Sequence, residues 1–311
     1  MTRVGLVGPP ERAEIERLAI RLEERGAEAV FLDARRNPEV ILGSGRIEAS
    51  GEDLSGIRSL YVCDLGIPSP FATTAEGRID VESSLKALDR SRRHYASWKT
   101  LLDHLSRRAL VVNPPDTYVL HAIKPYETTQ YEEAGMPVPL TVSTTDPEAL
   151  AALSGHGPGG WIAKGMVGGV SHTEALEPPR SREEAARILE GAAVMAQERI
   201  QGDNVRAFVI DGECIGAAEV IPLTGAESDS RRGATRVRRI ALPPEAERDA
   251  LAAARRWGMT FAAVDFMRES ATGRFVLLEC NSAPFFVNFE ARTGIDVSGR
   301  LATHLVGKRS R

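Results

Sequence analysis

Within the stretch 261–281, FAAVDFMRESATGRFVLLECN, three residues interrupt an apolar run: Asp265, Glu279 and Asn281. The stretch reads as two strands, FAAVDFM and RFVLLECN, joined by a polar turn containing Thr272 and Gly273. Alternate side chains of a strand face the same way, so Glu279 and Asn281 project together, about 7 Å apart. Asp265 joins them on that face if the two strands pair. Two carboxylates and an amide oxygen, with no His or Cys among them, form a hard-oxygen set. Such a set suits Mg²⁺, which is held by few protein ligands and completed by water and nucleotide phosphates. The spacing equally admits a plain surface reading, in which Asp265 caps a turn and Glu279 ends a strand. Cys280 alternates to the opposite face and reads as core.

Two further features carry possible chemistry. Lys164 lies in an apolar strand, GWIAKGMV (160–167), that runs into Gly168, Gly169, Val170 and Ser171. Small residues after a strand let backbone N–H groups approach an anion, and the lysine can reach the same phosphates. The segment is not a Walker A loop, and a plain tight turn is the alternative. The run Gln197, Glu198, Arg199, Ile200 closes another strand, whose edge can read an adenine while Asp203 or Asn204 accepts from ribose hydroxyls. An amphipathic strand with its charges outward is the alternative there. Lysine is scarce: Lys86, Lys99, Lys124, Lys164 and Lys308 are the only ones, against a large excess of Arg. Each one therefore stands where a compact ammonium is worth considering.

The elements that must position these groups follow an α/β pattern. RVGLVG (3–8), EAVFLD (28–33), SLYVCDLG (59–66) and ALVVN (109–113) read as strands, with helices over 11–25 and 81–107 between them. The long helix carries Leu85, Leu88, Trp98, Leu101, Leu102 and Leu105. This β-α-β beginning predicts a small parallel sheet, although Gly5 and Gly8 do not complete a dinucleotide-binding fingerprint. Pro114 and Pro115 end the fourth strand and place a boundary near residue 115. A helix with Pro125 in its first turn ends at Gly135, and MPVPLTVST is extended. Ser181 and Glu184 have capping-box spacing, opening a helix to about residue 193. A strand over 194–200 leads to a hairpin over 204–221, turning at Asp211-Gly212. The Gly-, Ser- and Arg-rich segment 224–239 reads as a mobile loop. Helices over 244–257 and 296–306 complete the chain.

Composition bounds the function. The chain has 311 residues, 42% hydrophobic and 26% charged, with a net charge of -4. That length suits two or three modules with sizeable cores, and the charge gives no support to nucleic-acid binding. No apolar run approaches the ~20 residues of a membrane span, and no signal peptide is read before residue 3. Cys63, Cys214 and Cys280 are scattered and odd in number, which argues against a disulfide framework or zinc site. A cytoplasmic location is expected. A homodimer is an open expectation, through an apolar surface that the sequence does not locate.

Taken in order, NPPDTYVLHAIKPYETTQYEEAGMPVPLT, WIAKGMVGGVSH, AQERIQGDNVRAFVIDGECIGA and AAVDFMRESATGRFVLLECNSAPFFVNFEARTGID resemble the ATP-grasp superfamily. The likeness runs from about residue 113 to 306 and is nearest to RimK-type carboxylate–amine ligases. It implies an α/β protein with the ATP-grasp fold: an N-terminal Rossmann-like parallel-sheet domain (1–115), then two α+β lobes (116–196 and 197–311) enclosing ATP. It further implies that Lys124, Lys164 and the Gly168-Gly169-Ser171 segment contact phosphates. Gln197, Glu198 and Ile200 would line the adenine slot, and Asp203 or Asn204 the ribose. Asp265, Glu279 and Asn281 would hold Mg²⁺, with Mn²⁺ an alternative. Arg206 would lie near the transferred phosphate, Arg232 would bind the acid or acylphosphate, and Ser282 would line the site. The family carries an acidic residue two before that arginine, where this chain has Asn204, so the ribose contact is open. The implied reaction joins a carboxylate to an amine (amino acid, peptide or small molecule) through an acylphosphate, releasing ADP and phosphate. Phosphoryl transfer to a hydroxyl, and nucleotide or peptide binding without turnover, are the alternatives. Specificity is expected in the first domain, the arginine segment and 284–290, where Phe285, Phe286 and Phe289 form an apolar wall or plain core.

Overall fold

The computed structural model describes residues 1–69, 80–153, 159–165, 173–222 and 235–307. The chain gathers into two compact units, one of residues 1–115, 258–261 and 283–311, the other of 116–257 and 262–282. Among the described residues, no helix is long and apolar enough to cross a membrane.

The first unit is built on the expected parallel sheet. Its elements to residue 115 are β1 (Thr2–Val7), α1 (Ala13–Glu23), β2 (Ala27–Leu32), β3 (Val40–Gly43), β4 (Arg46–Ala49), β5 (Glu52–Asp53), β6 (Ser59–Val62), α2 (Val81–Ser106) and β7 (Leu110–Val112). Strands β2-β1-β6-β7 pair in that order, all parallel. Val4, Leu6, Leu60 and Val62 are fully buried, as expected when both faces of a parallel sheet are covered. Helix α1 covers it with Ile15, Leu18 and Leu22. Helix α2 buries only its C-terminal half, through Trp98, Leu101, Leu102 and Leu105, while Leu85 stays exposed. The antiparallel β3-β4-β5 sheet has no counterpart in the sequence reading. Its strands are short and mostly exposed, so they carry no apolar alternation to find.

Residues 283–311 belong to this unit, not to the same unit as 262–282. Phe286 is fully buried and Phe289 nearly so, with Phe286 edge-on to Phe261 and Phe261 edge-on to Tyr61. These two phenylalanines are core, whereas Phe285 is exposed beneath the Arg12 guanidinium, 4.6 Å from the ring centre. The two helices Val287–Thr293 and Val297–Gly307 are tied to α1 by Arg17 on Glu290 at 2.7 Å and Arg21 on Asp296 at 3.1 Å.

The second unit holds two antiparallel sheets. After a 3₁₀ turn come α3 (Lys124–Glu133), β8 (Thr141–Thr144), α4 (Pro147–Ala151), β9 (Trp161–Lys164), β10 (Glu174–Leu176), α5 (Arg182–Leu189) and β11 (Val194–Glu198). Strands β10-β9-β11-β8 form one sheet, and Leu150, Leu153, Trp161, Leu176, Ala185 and Leu189 make its core with α4 and α5. Ser181 caps α5 by accepting from the Glu184 N–H, and Glu184 in turn accepts from the Arg180 N–H. The helix stops at Leu189 because Glu190 turns left-handed (φ 45°), four residues before the expected end.

The second sheet runs β14-β13-β12-β15-β16, from β12 (Gly202–Ile210), β13 (Glu213–Pro222), β14 (Thr235–Ile240), β15 (Phe261–Glu269) and β16 (Phe275–Asn281), with α6 (Pro244–Arg256) between β14 and β15 in the chain. Asp211 and Gly212, at φ 52° and 79°, turn the β12–β13 hairpin as the pair was expected to. The loop expectation over 224–239 fails at 235–239, which belong to strand β14 paired with β13. Arginine stems there line a sheet edge, and Arg238 meets the fully buried Glu219 of β13. Residues 223–234 lie outside the described residues.

Gly202 opens β12 where no side chain fits, because a Cβ would collide with the carbonyl oxygen of Arg268. Gly202→Ala is expected to destabilise the protein by about 2 kcal/mol through overpacking, read as a lower melting temperature. An unchanged melting temperature would show that these backbones separate freely.

Candidate active site

Strands β15 and β16 bring the polar misfits together as their alternation requires. Asp265 and Glu279 are direct register partners, and Asn281 pairs with Ala263. Next to them β16 carries one extra residue, since Phe266 faces Leu277 and Leu278 is bulged out. Asn281 Nδ2 donates to Asp265 Oδ2 at 3.0 Å, leaving the amide oxygen as the atom to meet a cation.

Cations converge on the two carboxylates from three other elements. Arg206 of β12 holds Asp265 with both prongs, Nε to Oδ1 at 2.7 Å and Nη2 to Oδ2 at 2.9 Å. Lys124, first residue of α3, lies 2.9 Å from Glu279 Oε2, and Lys164, last residue of β9, lies 3.9 Å from the same oxygen. Burial pushes the Glu279 carboxyl up, but Lys164, Lys124 and Arg206 outweigh it and hold the group down at about 2. Asp265 raises the Arg206 guanidinium further above its ordinary value, against the effect of burial. Three basic side chains and two carboxylates together carry a formal charge of +1. An excess of positive charge in a half-buried site is what an incoming polyanion requires.

One carboxylate behind this cluster was not singled out in the sequence. Glu127 of α3 is 4% exposed and accepts from the Cys280 N–H at 2.7 Å and the Tyr131 hydroxyl at 2.9 Å. Burial, with Glu279 adding to it, pushes its carboxyl up to about 7, although Cys280, Tyr131 and Lys164 pull the other way. The only trace in the sequence is its place three residues after Lys124 and four before Tyr131. In the polar run KPYETTQYEE that spacing does not mark a buried face.

The other expected site residues are placed as follows. Gln197 is buried on β11 and donates to Thr141 Oγ1 at 3.0 Å. The Glu198 N–H is taken by the Leu140 carbonyl at 2.8 Å and the Arg199 N–H by the Gly160 carbonyl at 2.9 Å. An adenine edge would therefore have to find its backbone N–H donor beyond them, at Ile200. Asp203 is engaged by Arg268 of β15 at 2.7 Å, whereas Asn204 stands half-buried opposite Val220. Ser282, directly after β16, is buried. Gly168, Gly169, Ser171 and Arg232 lie outside the described residues.

The donor set fits Mg²⁺. Among the described residues no group of three or more His, Cys, Asp or Glu forms a metal cluster. The oxygens on offer are two carboxylates and an amide on one sheet face, to be completed by phosphate and water.

Residues 179–305 match the family model of the RimK-like ATP-grasp domain. A probable alpha-L-glutamate ligase of Aliivibrio salmonicida (strain LFI1238) is 34% identical over 176 residues, covering 53% of this chain and 56% of that protein. One from Picosynechococcus sp. (strain ATCC 27264 / PCC 7002 / PR-6) is 35% identical over 143 residues, 44% of this chain and 46% of that protein. The chain thus spans about half the length of the curated relatives it matches. Solved structures align almost end to end. The ATP-grasp ligase PsnB complexed with minimal precursor gives a TM-score of 0.82 at 27% identity, over 98% of both chains. PsnB complexed with a phosphomimetic variant of minimal precursor, Mg and ADP gives 0.81 at 28%, also over 98% of both. The macrocyclase MdnC bound with precursor peptide MdnA, from Microcystis aeruginosa MRC, shares the fold, with a TM-score of 0.79 at 16% identity over 99% of this chain and 100% of that one. With its α/β architecture and its cluster of lysines, arginine and carboxylates, the chain is similar to ATP-grasp ligases over nearly its whole length and matches a RimK-like ATP-grasp domain over 179–305.

Proposed function

We propose that the protein is an ATP- and Mg²⁺-dependent ligase that activates a carboxylate as an acylphosphate and transfers the acyl group to an amine. The observation that carries this reading is the meeting of Lys124, Lys164 and Arg206 with Asp265 and Glu279, from five separate elements. A carboxylate approaching a triphosphate sets anion against anion, so a ligase must gather cations where the γ-phosphate transfers. Lys124 and Lys164 then exchange Glu279 for phosphate oxygens. Arg206 keeps Asp265 oriented and presents its remaining N–H groups to the transferred phosphate. Asp265, Glu279 and Asn281 would hold Mg²⁺, which would supply neutralisation of the phosphate charge. The carboxylate oxygen attacks the γ-phosphorus and ADP leaves. The amine then attacks the acyl carbon, phosphate departs with the carboxylate's former oxygen, and the amine loses a proton.

For the substrate we favour a carboxylate and an amine carried on peptides. PsnB, similar over 98% of the chain, is described in complex with a precursor. The likeness to the alpha-L-glutamate ligases covers about half of it. We place the protein in the cytoplasm, a reading supported by three cysteines that form no disulfide. ADP release from MgATP should be screened over free amino acids, acidic peptides and amines, singly and in pairs, with product mass recorded. Release that needs an acid and an amine together, with a product lighter by one water, is the expected result. ADP release with a hydroxyl acceptor and a phosphorylated product would make it a phosphotransferase instead.

A further inference from the structure

Strand β16, which carries Glu279 and Asn281, is the edge strand of its sheet among the described residues. An edge strand has a row of N–H groups that no neighbouring strand satisfies. Two of these are met from outside the sheet: the Leu277 N–H by the Pro137 carbonyl at 2.7 Å, and the Cys280 N–H by Glu127 Oε1 at 2.7 Å. They are three residues apart instead of two because of the bulge at Leu278. Cys280 sits between Glu279 and Asn281, so its N–H is the backbone point that sets both side chains. The acceptor on it comes from α3, whose first residue is Lys124, the nearer lysine on Glu279.

Glu127 is itself held. Its Oε1 also accepts from the Tyr131 hydroxyl at 2.9 Å, and that hydroxyl accepts from Trp257 Nε1 at 2.8 Å. Tyr131 and Trp257 pack edge to face at 6.3 Å. The chain Trp257–Tyr131–Glu127–Cys280 thus runs from the end of α6, through α3, to the strand between the candidate ligands. Its cluster neighbours are the charged Glu279 and Lys164.

We propose that Glu127 is a positioning residue, which clamps the Glu279–Asn281 segment of β16 to the helix bearing Lys124 and so fixes the geometry of the metal set. This rests on the reading of Asp265, Glu279 and Asn281 as that set. The clamp works by reach, not by charge: what matters is an acceptor oxygen at the distance of a glutamate side chain. Groups that orient metal ligands without touching the metal commonly change metal affinity by about 10- to 100-fold when removed.

Two variants separate reach from charge. Glu127→Gln keeps the length and the acceptor oxygen and drops the charge. Glu127→Asp keeps the charge and withdraws the acceptor by one methylene. The Mg²⁺ dependence of ATP binding, titrated by calorimetry on the full chain, is the readout, with melting temperature alongside. Glu127→Gln is expected to keep the half-saturating Mg²⁺ within about threefold of the parent, and Glu127→Asp to raise it about tenfold or more. Asp tolerated and Gln defective would overturn the proposal in favour of a purely electrostatic role. Equal effects in both, tracking the loss of melting temperature, would reduce Glu127 to a structural residue. A parent protein that binds ATP without any Mg²⁺ dependence would overturn the underlying assignment of the metal set, whatever the variants do.

Discussion

Asp265→Asn is expected to leave the fold intact and to slow ADP formation by a factor on the order of 10³. Asparagine has the shape of aspartate and keeps an oxygen for the Arg206 guanidinium, which lies 2.7 Å from Asp265 Oδ1. What it removes is one of the two carboxylate charges on the sheet face shared with Glu279 and Asn281. The cluster then carries one more net positive charge. Nucleotide binding without Mg²⁺ is therefore expected to be retained or tightened while turnover collapses. That split distinguishes loss of a metal ligand from loss of the fold, which would weaken both together. Steady-state ADP release and a Mg²⁺-free binding titration on the same preparation check it. Turnover within a few-fold of the parent would mean that Asp265 is no ligand.

The second large effect concerns stability. Glu219 of β13 is fully buried, and its charge is met by Arg238 Nε at 2.8 Å and Arg268 Nη1 at 2.6 Å. The Arg268 contact is an ion pair without hydrogen-bond alignment, since Glu219 Oε1 accepts no aligned donor among the described residues. Arg268 also holds Asp203 at 2.7 Å, so one guanidinium joins β12, β13 and β15. Arg268→Ala leaves a buried carboxylate with one cation in place of two. Breaking a buried ion pair from one side costs about 3 kcal/mol or more. For a unit of this size that is a fall in melting temperature of roughly 6–10 °C. The double variant Arg268→Met/Glu219→Gln removes the stranded charge and is expected to recover most of the loss. Thermal unfolding followed by circular dichroism measures both, and a double variant no better than the single would show that the loss came from Arg268's packing.

What could be read from the sequence, and what could not, divides along physical lines. The face shared by Asp265, Glu279 and Asn281 follows from strand alternation, and the Asp211-Gly212 turn from the left-handed backbone those residues tolerate. Both are local properties, as are the parallel strands 2–7, 27–32 and 59–62, which read as short apolar runs. Strand 235–240 was hidden because its arginines resemble a solvated segment until the buried Glu219 is known to lie opposite. The Phe286 and Phe289 core contacts depend on the tail returning to residues 1–115, which no periodicity announces. Glu127 was missed for the same reason. A glutamate in a polar helix becomes conspicuous only when an edge strand's N–H is found resting on it. Groups that face the chemistry announce themselves by type, whereas groups that hold them in place are defined by contacts distant in sequence.

Whether Glu279 helps to hold a nucleotide-bound Mg²⁺ is decided by a calorimetric titration of the full chain with a non-hydrolysable ATP analogue, with Mg²⁺ and with the metal chelated, repeated on Glu279→Gln. Glu279 is the carboxylate on which Lys124 and Lys164 both converge. Binding that is tight with Mg²⁺, weaker by about tenfold or more without it, and insensitive to Mg²⁺ in Glu279→Gln is the predicted result. Binding of equal strength with and without the metal, or a Glu279→Gln protein that responds to Mg²⁺ like the parent, would contradict it.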